Sequence, residues 1–124
     1  VKDYVLLIAA LYGALGIIFG AFGAHALKKI FSEDLLKSFE TGVKYQLYHA
    51  IVLLIIGFQF SFTETLQTAV AWCFIIGIFL FSFSIYGFCI SSAKGKKLRF
   101  LGPITPLGGL LLVIGWILLG VSFF

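Results

Sequence analysis

Residues 43–60 read VKYQLYHAIVLLIIGFQF, eighteen positions with one charge, Lys44 near the start, and no polar side chain from Ala50 to Phe58. A helix of that length and character can cross a hydrocarbon core, which takes about 20 apolar residues. Three further runs share the pattern: Tyr4 to Leu27, Leu66 to Ser91 and Pro106 to Phe124. The whole 124-residue chain is 61% hydrophobic and 11% charged, with a mean hydropathy of +1.14. That leaves too little polar surface for a water-soluble globule. The sequence therefore predicts an all-α membrane protein, a four-helix transmembrane bundle forming one domain over residues 1–124. Lipid is its solvent, and no soluble domain fits between the spans.

Charge sets orientation. Nine basic residues outnumber five acidic ones, but they are bunched in short loops, where topology accounts for them without a nucleic-acid partner. Lys28, Lys29, Lys37 and Lys44 flank the first loop, and Lys94, Lys96, Lys97 and Arg99 fill the third. The opposite face has only Lys2. Both basic loops are thus expected in the cytoplasm and both termini outside. Residues 4–27 are too long, and too rich in glycine at packing spacing, for a cleaved signal core. The third run is long for a straight span, which implies tilt or an end among the headgroups. Cys73 and Cys89 share that run, sixteen positions apart, too far along one helix to form a disulfide.

Between the first two spans, Ser32 is placed to cap a helix. Phe31, Leu35, Phe39 and Val43 recur every four residues, with Glu33, Lys37, Glu40 and Lys44 on another face. This predicts a short amphipathic interfacial helix over about residues 32–41, running into the second span. In Gly102-Pro103-Ile104-Thr105-Pro106, Pro106 suits the first position of the fourth helix, with Thr105 as its cap.

Ionisable groups inside a span are costly, so the only two histidines, His25 and His49, draw attention first. At 100° per residue, Gly42, Tyr45, Gln46 and His49 fall within about 100° of one another, and Glu40 faces the other way. Gly13, Gly16, Gly20 and Gly23 share one face of the first span, read as a helix-packing seam that includes a Gly-x-x-x-Gly spacing; His25 points away from it. Ser82, Tyr86 and Cys89 form a stripe on the third span, and Thr105 opens the fourth nearby. Together they suggest a polar pocket facing the cytoplasm, with His25, Tyr45, Gln46, His49, Ser82, Tyr86 and Thr105 as candidate ligand-binding residues.

These residues favour a non-enzymatic role. No Cys, Asp or third His stands at a ligand spacing beside the histidines, so no metal site, haem or other cofactor is expected. No nucleophile has a visible base and orienter, so no catalytic residue is assigned. The leading expectation is binding or passage of a small molecule, lipid or ion. A proton-coupled exporter is disfavoured, because the first span lacks a carboxylate between Tyr4 and Leu27. One alternative is an accessory or structural subunit, its glycine face docking a second copy or another membrane protein. Another is a membrane enzyme acting on a lipid or quinone, with His49 as acid or base and Tyr86 orienting it.

Gly20–Leu27 (GAFGAHAL), Phe39–Ala50 (FETGVKYQLYHA), Phe81–Tyr86 (FSFSIY) and Gly102–Gly109 (GPITPLGG) resemble, in order and spacing, the small bacterial four-span proteins grouped as domain of unknown function 423. The resemblance covers nearly the whole chain and implies the four-span fold and residence in a bacterial inner membrane. It implies no catalytic assignment. Phe83 departs from the family pattern, which more often has glycine there, and a ring at that position narrows any cleft beside Ser82 and Tyr86.

Overall fold

The computed structural model describes every residue from Val1 to Phe124. Four helices follow in order: α1 (Lys2–Ala24), α2 (Glu33–Gln59), α3 (Thr65–Ala93) and α4 (Leu101–Val121), with a short 3-10 turn at Leu27–Lys29. All four are long and apolar enough to cross a membrane, and the chain contains no strand. At 1.5 Å per residue, α2 and α3, with 27 and 29 residues, each reach about 40 Å, so their ends extend past a core of about 30 Å.

Ser32 caps α2, its Oγ accepting from the Leu35 N–H at 3.2 Å, with Glu33 and Asp34 favourably placed in the first turn. From there α2 runs unbroken to Gln59, so the amphipathic stretch at 32–41 is the first part of α2 rather than an element of its own. Its apolar face has found a protein partner. Phe31, Phe39 and Val43 are buried against Tyr86 and Cys89 of α3.

The start of the fourth helix differs from expectation. α4 begins at Leu101, not Pro106, and Thr105 is not its cap. Pro103 lies in the first turn, where no N–H is required, so only Pro106 removes an internal hydrogen bond. Thr105 is helical and turns toward α3 instead, its Oγ1 against Ser84 Oγ.

Packing follows chain order, α1 on α2, α2 on α3, α3 on α4, which makes α2 and α3 the buried inner pair and α1 and α4 the flanks. Two apolar clusters fill the bundle. The larger joins Val5, Leu53, Val70, Phe74, Ile78 and Leu112; the smaller joins Phe31, Phe39, Val43, Tyr86 and Cys89. Burial of each large side chain here gains chiefly packing contacts, because lipid is as apolar as the core. Glycines decide how near the helices come. A Cβ at Gly108 would collide with Phe81 N and lie 2.9 Å from Gly77 O, so α3 and α4 meet backbone to backbone. Gly16, Gly20 and Gly23 face Leu47, Val43 and Phe39 of α2, whereas a Cβ at Gly13 would touch nothing within 4 Å.

Candidate functional site

Gln46 is the central residue of α2, thirteen positions from either end, and it is completely buried. Its Nε2 donates to the Tyr12 carbonyl of α1 at 2.8 Å, and its Oε1 accepts from the Tyr86 hydroxyl of α3 at 2.7 Å. The Tyr12 hydroxyl in turn donates to the Ile75 carbonyl at 2.7 Å, and Ser82 Oγ donates to the Gly42 carbonyl at 2.7 Å. Three helices are thereby tied in one layer. Gly42 makes the approach possible, since a Cβ there would meet Tyr86 Cε1 at 2.9 Å.

His49 lies just under one turn further along α2 and faces a different neighbour. Its Nδ1–H donates to the Tyr45 carbonyl at 2.8 Å, and its Nε2 accepts from the Trp116 Nε1–H of α4 at 3.1 Å. Both bonds together require the neutral Nδ1–H tautomer, because an N–H donor cannot point at a protonated Nε2. Phe74 packs against both rings, with centroids 5.4 Å from each. A polar ring at this depth is tolerated because neither nitrogen is left unpaired.

The seven candidate residues therefore separate. Gln46, Ser82 and Tyr86 are brought together. His49 stands close to Gln46 on α2 but is bonded to α4, so Tyr86 does not orient it. Tyr45 is partly exposed on the flank, stacked on Phe81 at 5.0 Å. Thr105 belongs to the α3–α4 seam with Ser84. His25 is the clear correction: it is exposed beyond the end of α1, beside Ile18, Ala21 and Phe22. The phase that sets it opposite the glycine seam also removes it from the bundle interior. With Gly16 against Gln46 and Leu47, His25 lies about 18 Å from His49 along the bundle axis, so the two histidines share no site.

Nor is the polar layer a pocket. Among all buried side-chain oxygens and nitrogens, only Ser92 Oγ has no partner, so the layer's own groups are satisfied within it. Surface cavities lie elsewhere. One of about 340 Å³ sits between Val5 and Ile8 of α1 and Ala71 and Ile75 of α3, and one of about 360 Å³ between Val52 and Ile56 of α2 and Trp116 and Leu119 of α4. Phe83 fills the space beside the layer. Its ring lies 6.3 Å from those of Tyr12 and Phe19 and 5.6 Å from that of Tyr86, which closes the α1–α3 side of the layer.

Two hydrogen-bonded residues were missed from sequence, Tyr12 of the layer and Trp116 on the α4 side. Tyr12 carried a usable signal, since helical phase puts it on the Gly16–Gly20–Gly23 face. Trp116 carried a weaker one: an indole N–H within a span needs an acceptor, and His49 Nε2 is among the few available.

Fold and site define a four-span helical membrane protein whose polar residues bond one another at the middle of the bundle. The chain belongs to the family described as protein of unknown function DUF423, whose profile matches residues 19–109. It is 35% identical to a UPF0382 membrane protein of Staphylococcus haemolyticus over 96% of this chain and 93% of that one. It is 35% identical to the UPF0382 membrane protein YwdK of Bacillus subtilis over 94% and 93% of the two chains. A UPF0382 membrane protein of Schizosaccharomyces pombe is 36% identical over 88% and 92%. No solved structure matches the chain.

Proposed function

We propose that this protein acts as a non-catalytic membrane subunit, its polar layer holding the bundle in register while its flanks meet a partner. One observation carries this reading: the groups that chemistry would need are already bonded to one another. Gln46 is held by Tyr12 and Tyr86, Ser82 by Gly42, and His49 by Tyr45 and Trp116. Paired polar side chains between spans fix which helices meet and at what register. The working surface is then the apolar outside of α1 and α4, including Leu7, Leu11 and Ile17 on one and Leu110, Val113 and Ile117 on the other. Its occupant is a second copy or another membrane protein. The grouping of six cations in the α1–α2 and α3–α4 connections, with Lys37 and Lys44 on the first half of α2, supports termini outside and, in a bacterial cell, residence in the inner membrane.

Photo-crosslinking groups at Ile17 and Ile117 in native membranes test the assignment. A discrete, stoichiometric protein adduct from either flank is expected, and inward control position Leu53 yields none. Lipid adducts alone from both flanks overturn the subunit reading.

A second reading has its own observation. Trp116, the donor to His49, also lines the cavity of about 360 Å³ between α2 and α4, with Gln59 at its other end. The small-molecule reading then moves from a cytoplasm-facing opening to a lateral one reached from the bilayer. Its test is whether Trp116→Phe changes the amphiphiles that co-purify.

A further inference from the structure

We infer that the end of α3 and the loop after it form a binding groove for an anionic phospholipid. The local fold builds it. Gly95, at φ 79°, ends α3 in a left-handed turn, with the Gly95 N–H donating to Ser92 O at 3.1 Å and the Lys96 N–H to Ser91 O at 2.8 Å. That pair of bonds is the Schellman arrangement, which satisfies the last carbonyls and folds the chain back along its own helix. Lys96 and Leu98 return beside the final turns of α3, and the Leu98 N–H reaches Ser91 Oγ at 3.5 Å. Between them lies a groove of about 310 Å³ lined by Gly87, Ile90, Ser91, Lys94, Lys96 and Leu98.

Its chemistry is divided along its length. Two ammonium groups sit at the helix end, at headgroup level. Further into the span, Ile90 and the bare backbone of Gly87 make an apolar floor. An anionic head with an alkyl chain below it matches that order.

The charge has no partner within this half of the chain. From Thr65 to Phe124 there are four cations, Lys94, Lys96, Lys97 and Arg99, and no Asp or Glu. The C-terminal dipole of α3 opposes an anion with about half a charge, but its terminal carbonyls are bonded in the turn and the cations outnumber it. Each cation near a membrane surface attracts anionic lipid with a free energy of order RT or more. Diffuse attraction needs no groove, however. The groove adds a defined shape: Gly87 leaves its floor bare, and a Cβ there would press on Leu101 Cδ1 of α4 at 3.0 Å.

The test is native mass spectrometry of the detergent-purified protein titrated with phosphatidylglycerol or phosphatidylcholine. The wild type is expected to retain phosphatidylglycerol preferentially. Lys94→Gln/Lys96→Gln should weaken that retention about 30-fold, whereas Lys28→Gln/Lys29→Gln, with the same change of net charge, should leave it within about twofold. Equal losses from the two lysine pairs, or equal retention of both lipids by the wild type, overturn the inference. Lys94 and Lys96 are exposed, so the decisive variant does not depend on refolding the core.

Discussion

Replacing Gln46 and Tyr86 singly and together measures the bond at the centre of the bundle. Tyr86→Phe keeps the ring among Phe19, Phe39 and Phe83 but leaves Gln46 Oε1 without its donor in a fully buried site. In a water-soluble core, such an orphaned group costs about 1–3 kcal/mol. Between membrane helices the measured scale is lower, about 0.6 kcal/mol on average and about 1.7 at most, because the separated helices also find partners. The shorter distance and complete burial argue for the upper part of that range, about 1–1.5 kcal/mol. Gln46→Leu loses two bonds, to the Tyr12 carbonyl and from the Tyr86 hydroxyl, and strands the hydroxyl. The double variant strands neither partner of the 2.7 Å bond, so its loss should fall short of the sum of the singles by about 1 kcal/mol. Reversible unfolding in mixed micelles, followed by helical circular dichroism, gives the three free energies. Additivity within about 0.3 kcal/mol refutes the bond as a tie between α2 and α3.

Other variants separate seams from surfaces. Gly108→Ala drives a methyl into the Phe81 backbone and should cost about 1–3 kcal/mol or prevent folding, while Gly120→Ala, with nothing within 4 Å, should be neutral or slightly stabilising by thermal melting in detergent. Gly16→Leu, whose first carbon already falls 2.5 Å from Leu47 Cδ2, should separate α1 from α2 and lower stability, whereas Gly13→Leu should fold normally; similar melting of the two would contradict the seam. Trp116→Phe removes the donor to His49 Nε2 and should cost about 1 kcal/mol, and His49→Leu in that background should cost less than in the wild type, as unfolding titrations would reveal. A helix-propensity scan is the natural check on α2: Gly42→Ala should destabilise despite alanine's preference for helix, because Tyr86 Cε1 stands 2.9 Å from the new carbon.

Helical phase anticipates some of the side-chain placements and also shows where such reading stops. It grouped Gly42, Tyr45, Gln46 and His49 on one side of α2, of which Tyr45 is exposed, and demoted Glu40, which is exposed as well. It separated His25 from the glycine seam. Yet phase is measured around one helix axis, and it is silent on which neighbour stands at that angle. Gln46 and His49 are about 60° apart on α2, enough for the first to face α1 and α3 and the second to face α4. Within Gly102–Pro106, Pro106 reads as the first residue of the fourth helix, where its missing N–H costs nothing. α3 lies close enough along Gly77, Phe81 and Ser84 to hold that turn in the helix.

By itself the sequence determined the solvent, the number of spans and the face on which the loop cations gather. These depend on the length and composition of contiguous segments, because a backbone in lipid must satisfy its own hydrogen bonds and so becomes helix wherever an apolar run is long enough. The tertiary structure alone decided that the polar residues form a closed layer rather than an open pocket, and that His49 pairs with Trp116. Which donors meet which acceptors depends on helix rotation and on approaches set within an ångström by Gly42, Gly108 and Phe83. Those are properties of helix pairs, and no single segment carries them.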